Sequence, residues 1–146
     1  MADHRLPAKL RLTLRSGTVY YFQHRALSSP EPHFFVVVNA DPINDSILLL
    51  AVGSSKINKV RERRKNLPSE CLVFVDPTDY PEFSRTTVFD CNHVIEIAIA
   101  DLIQKIQGRE IRHHSDLPSQ ILEKIWTGVQ LSLLVDDQHK KMLPGN

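Results

Sequence analysis

Five short apolar runs, each closed off by turn residues, fill most of the first hundred residues and leave few ways to fold the chain. "TVYYFQH" (18–24), "HFFVVVN" (33–39), "SILLLAVG" (46–53), "ECLVFVD" (70–76) and "TTVFDCNHVIEI" (86–97) are rich in β-branched and aromatic residues. Runs of that length and makeup predict strands. The connectors "SSPEP" and "ADPIND" are turn chemistry, because Pro fixes φ and removes a donor while Asn and Asp cap tight bends. A further Pro-bracketed turn, "PTDYPEF", leads into the fifth run.

The period then changes. "AIADLIQKIQG" puts Ile99, Leu102, Ile103 and Ile106 on one helical face and stops at Gly108. "SDLPSQILEKIWTGVQLSLLV" carries Leu117, Ile121, Leu122, Ile125, Val129 and Leu133 at three-and-four spacing, with Ser115 or Asp116 as the cap. Gly128 weighs against that helix. "KLRLTLR" reads two ways: it alternates like a strand, yet Pro7 and Gly17 bracket it like a helix, with Leu6, Leu10 and Leu14 on one face. Strands followed by two helices predict an α+β fold, a small, strongly bent antiparallel sheet or barrel with a terminal helix over its open face. At 146 residues the expectation is one domain, 1–146, with its core in 16–134, an N-terminal extension over 1–15 and a polar, flexible tail over 135–146.

The third run delivers Ser54 and Ser55 directly into a dense basic segment, "KINKVRERRKN". The whole chain carries a formal charge of only +1, so a polyanionic partner would have to be held by a local patch. Lys56, Lys59, Arg61, Arg63, Arg64 and Lys65 are that patch, unless they are simply a solvated loop. No apolar run reaches membrane-spanning length and the N-terminal residues lack a secretory pattern, so a cytoplasmic protein is expected. Cys71 and Cys91, far apart and outside any Cys-x-x-Cys spacing, read as small core residues rather than metal ligands. A Gly-rich phosphate loop, a G-x-S-x-G elbow and an H-E-x-x-H motif are all missing, which argues against nucleotide hydrolases, serine hydrolases and zinc enzymes. What remains are polar residues at strand ends: His24, Arg25, Glu31, His33, Ser54, Ser55, Asp90, Asn92 and His93. His113 and His114 fall in a polar stretch and read as a solvated loop.

In order along the chain, "SGTVYYF", "SSPEP", "HFFVVVN", "ILLLAVGSSKI" and "TTVFDCNHVIEI" match a family layout. It runs from a strand opening G-[DT]-[IV]-V, through a Pro-containing loop with an acidic residue and a P-x-x-V-[IV]-[LV] strand, to an apolar strand ending in [TS]-S. A later S-x-[IV]-x-x-[DCA]-[DN]-Q-[IV] strand and two helices complete it. Over residues 16–134 the chain thus resembles the MazF/PemK/Kid toxins. That resemblance implies an SH3-like barrel with a C-terminal helix, a homodimer, and metal-independent cleavage of single-stranded RNA held in check by an antitoxin, without a cofactor. It also places Ser54 and Ser55 beside the scissile phosphate and makes the basic patch a groove for the RNA backbone.

The chain departs from the family where the chemistry lies. The family carries an Arg in the loop before its second strand, where this chain has "SSPEPHFF" and His33. Its Arg-x-Asp on the later strand corresponds here to Asp90 and Asn92. Cleavage without a metal requires a proton taken from the 2′-hydroxyl, a stabilised phosphorane and a protonated leaving oxygen. The residues available are His33 or His93 as acid or base, Asp90 as an orienting carboxylate, and Arg25 or Lys56 as the cation. The competing expectation is a non-catalytic barrel that binds nucleic acid or a protein through the same groove. A third is a partner module docking through the helix that carries Trp126, a residue more often core than contact.

Overall fold

In the computed structural model, which describes residues 7–27 and 30–145, the chain is α+β. The elements are α1 (Ala8–Thr13), β1 (Val19–Phe22), β2 (His33–Val37), β3 (Ile47–Ser54), α2 (Ile57–Arg63), β4 (Leu72–Val75), β5 (Thr87–Ala98), α3 (Ile99–Gln107), β6 (Arg112–His114), α4 (Ser119–Leu131) and α5 (Asp137–Lys140). Leu6 lies outside the described residues.

All six strands form one antiparallel sheet in the order β4-β5-β3-β2-β1-β6. The sheet is open, because β4 and β6 are its edges and do not pair. The loop over 76–86 reaches from one edge to the other instead. The Tyr80 hydroxyl donates to the Ser115 carbonyl, the Glu82 carboxylate accepts from the Ser115 N–H, and Phe83 packs on Phe34.

The central strands are apolar on both faces, which is why their sequences run on instead of alternating. Val19, Val36, Leu49, Ala51, Phe89 and Cys91 join Ile125 and Val129 of α4 in one cluster. Tyr20, Phe35, Leu48, Leu50 and Val52 join Leu10 and Leu14, around α1, and Leu102 of α3 in the other. Helices therefore cover both faces, not one. This resolves "KLRLTLR" as a helix entered through Pro7: Leu10 and Leu14 are buried, whereas Leu12, which a strand would need, is 76% exposed.

Three expectations change near the C-terminus. His113 and His114, expected in a solvated loop, belong to the edge strand β6 on β1, where His114 packs against Phe34 and pairs with Glu82 at 2.8 Å. Neither Ser115 nor Asp116 caps α4, which starts at Ser119 after Pro118 and ends at Leu131, leaving Leu133 75% exposed. The polar tail is packed: the Asp136 carboxylate caps α5 through His139, the Ala40 N–H bonds the Met142 carbonyl, and Leu143 is buried. Trp126, partly buried, packs against the core, with its Nε1–H donating to the Val38 carbonyl at 3.1 Å.

Gly128 is in α4 because the helix crosses β5 too closely for a side chain. A Cβ there would lie 2.7 Å from both Cys91 Sγ and the Glu70 carbonyl oxygen. Gly128→Ala should therefore destabilise by about 1–3 kcal/mol, against the helix propensity gained. An unchanged urea midpoint would contradict this packing.

β5 carries the irregularity that shapes the site. Val94 pairs with Ala51 and Asp90 with Val52, so Cys91, Asn92 and His93 bulge out of the β3 ladder. Such bulges bend a strand and re-aim its side chains.

Candidate active site

The β2–β3 ladder ends with Phe34 opposite Gly53, which sets His33 across from Ser54, one step further on. Directly opposed residues project from the same face of a sheet. Two clefts meet at this end, one of about 370 Å³ and one of about 420 Å³, and His33, Ser54 and Lys56 line both. The first is completed by Tyr21, Glu31, Ser55, Arg85 and Thr87 among others. The second is completed by Lys59, Val60, Arg63 and Arg64 around α2, and by His93 from the bulge.

His33 Nδ1 lies 2.9 Å from the Glu31 carbonyl oxygen. A carbonyl only accepts, so Nδ1 carries the hydrogen and Nε2 is the nitrogen left to exchange protons. The Ser54 Oγ accepts from the Lys56 N–H at 3.1 Å, which turns the chain out of β3 into α2 and leaves the hydroxyl hydrogen to donate. The Lys56 ammonium meets the Glu31 carboxylate at 2.7 Å, with both side chains half or more exposed.

Burial holds the His93 imidazole below its usual pKa; Asp90 pulls it back up, while Arg64, Arg63 and His33 push it down. Burial lowers His24 and His113 as well. A histidine that resists protonation only when folded draws protons to the unfolded chain, so stability is lost as pH falls below about 6.5. His93→Gln should flatten the decline in Tm between about pH 7 and 5. A decline as steep as the parent's would show that His93 contributes nothing to it.

Asp90 shares the sheet face of Val52, but it lines neither cleft and is only 2% exposed. Its carboxylate accepts from Arg64 Nε at 2.8 Å, with Arg63 at 3.9 Å, and from the Asn92 N–H and Nδ2. Asn92 Oδ1 in turn accepts from the Ser132 hydroxyl at 2.7 Å. Asp90 thus fixes α2 to the sheet through Arg64, and its carboxylate lies behind the clefts and not on their walls.

Of the expected basic groove, Lys56, Lys59, Arg63 and Arg64 line the second cleft. Arg61 turns away and lies over the Phe74 ring, 4.7 Å from its centroid, and Lys65 pairs with Glu62. Arg25 lines a separate polar cavity with Glu96, Asp101 and Lys105, so it is not the cation at His33. Lys56, the other expected cation, does line both clefts with His33, and Arg85, which sequence reasoning passed over inside a Pro-rich turn, lines the first of them as well. The signal was its position two residues ahead of Thr87, where β5 begins opposite the Ser54 end of β3.

Among the described residues, no three His, Cys, Asp or Glu side chains are grouped as metal ligands would be, and no helix is long and apolar enough to cross a membrane. No family model matches the chain, and no curated protein matches it.

Proposed function

We propose that the chain is an endoribonuclease of the MazF/PemK kind, which cuts single-stranded RNA without a metal, works as a homodimer and is restrained by an antitoxin. One observation carries the reading: two imidazoles, His33 and His93, share a cleft with Ser54 and four Lys or Arg side chains. On this reading the open sheet is a relaxed version of the family's SH3-like barrel.

His93, held neutral, takes the proton of the 2′-hydroxyl as that oxygen attacks phosphorus. The P–O5′ bond breaks, and the leaving oxygen collects a proton from Nε2 of His33, whose Nδ1–H stays on the Glu31 carbonyl throughout. Lys56 and Arg85 offset the charge that builds on the phosphorane, and Ser54 and Ser55 orient it through neutral donors. The products are a 2′,3′-cyclic phosphate and a free 5′-hydroxyl. Before the strand binds, Lys56 must exchange the Glu31 carboxylate for phosphate.

The seclusion of Asp90 favours one other reading, in which the same cleft binds single strands and cuts nothing. Binding measured against salt tests what the two share. Charge reversal at Lys59 and Arg63, which are exposed on α2, should weaken binding of single-stranded RNA and lower the log–log salt slope by about 0.7 for each phosphate no longer neutralised. Affinity and slope equal to the parent's would place the strand elsewhere. Cleavage by the parent, and arrested growth when it is expressed without a partner, then separate enzyme from binder.

A further inference from the structure

We infer that the first cleft holds one nucleobase of the bound strand, stacked on the ring of Tyr21 beside the phosphate at Ser54, Lys56 and Arg85. The inference rests on the single-strand reading above and adds what recognises the nucleotide next to that phosphate.

The consecutive tyrosines of β1 have opposite fates. Tyr20 is buried in the α1–α3 core, whereas Tyr21 is half-buried and lines the cleft. Tyr21 pairs directly with Phe34, their ring centroids 4.6 Å apart, and Phe34 packs in turn on Phe83 at 4.6 Å and His114 at 5.4 Å. The Tyr21 ring is therefore backed by a rigid aromatic wall and has little freedom to lose when a second ring lies on it. An aromatic platform beside a cationic track is how single strands are held without reading sequence, because every base offers a π-face. At about 370 Å³ the cleft has the size of small-ligand sites. Around the platform, Ser55 and Ser84 bring hydroxyls and Glu31 a carboxylate, so the rim carries both donors and acceptors for a base edge.

The test uses a 2′-O-methyl oligonucleotide, which lacks the 2′-hydroxyl nucleophile, and reads binding by fluorescence anisotropy. Tyr21→Leu should weaken binding by roughly 5- to 150-fold, with Tyr21→Phe close to the parent and the salt slope unchanged in both. An oligonucleotide with one base removed, moved position by position, should cost the parent a similar factor at one position, and there Tyr21→Leu should add nothing further. If the parent loses nothing at any abasic position, the stacked base is overturned while backbone binding stands. If Tyr21→Leu binds as the parent does, or its effect adds in full at every abasic position, the platform is not Tyr21. A parent that binds no single strand at all removes both this inference and the function it rests on.

Discussion

His33→Ala should lower the rate of RNA cleavage by about 10²-fold or more without disturbing the fold. The side chain stands at the first residue of β2, is only partly buried, and makes one hydrogen bond, to the carbonyl two residues before it. Little stability depends on it, so Tm should move little while the chemical step loses its proton donor. His33→Gln keeps a polar group there but no titrating nitrogen, and it should be as slow as His33→Ala. If His33→Gln retains the parent's rate, the imidazole is not transferring a proton. His93→Gln should cost a similar factor in rate, and Ser55→Ala much less, since it removes one neutral hydrogen bond worth about 0.5–1.5 kcal/mol.

Asp90→Ala should have the largest effect on stability, about 3–5 kcal/mol. The carboxylate is nearly inaccessible and answers three donors: Arg64, the Asn92 N–H and the Asn92 amide. Its removal strands the Arg64 guanidinium, whose side chain is only 15% exposed, and leaves the Asn92–Ser132 link without its anchor. Breaking a buried pair from one side is costly, whereas replacing both partners with apolar groups of similar volume is often neutral. In urea unfolding, Asp90→Leu combined with Arg64→Met should therefore recover the part of that stability lost by stranding the guanidinium, but not the part lost by the unpaired Asn92 N–H and amide, and should leave RNA binding weaker than the parent's. A single Asp90→Ala variant that unfolds at the parent's midpoint would remove Asp90 from the structural role assigned to it.

The apolar runs were legible because burial on both sheet faces leaves a dense signal: all five strands and α3 and α4 lie where β-branched runs and helical spacing put them. β6 was not legible. Its "RHH" is an edge strand of three polar residues, and its pairing with β1 comes from tertiary placement, not composition. The ends of α4 were misjudged for a related reason: Asp116 pairs with Arg15 and Tyr80 bonds the Ser115 carbonyl, so the residues that look like a cap are engaged elsewhere. Barrel closure depends on long-range curvature, which no local pattern encodes, and the loop over 76–86 bridges the edges without pairing them.

The site was legible in part. His33, Ser54, Ser55 and Lys56 stand at the ends of adjacent strands, and strand ends can be located from turn residues. His93 joins them because β5 bulges at 91–93, and Asp90 withdraws because Arg64 reaches back from α2. Both depend on register and on a contact between residues 26 positions apart. Arg85 stands just ahead of β5, a position the sequence offers, but that it lines the cleft follows from how the 76–86 loop lies across the sheet.

End-group analysis of single-stranded RNA incubated with purified protein in excess chelator tests the central claim most directly. The expected products are fragments ending in a 2′,3′-cyclic phosphate with a free 5′-hydroxyl on the downstream piece, and no such fragments from His33→Gln. RNA that is bound with a salt-dependent affinity yet recovered intact, or cut identically by His33→Gln, would contradict it.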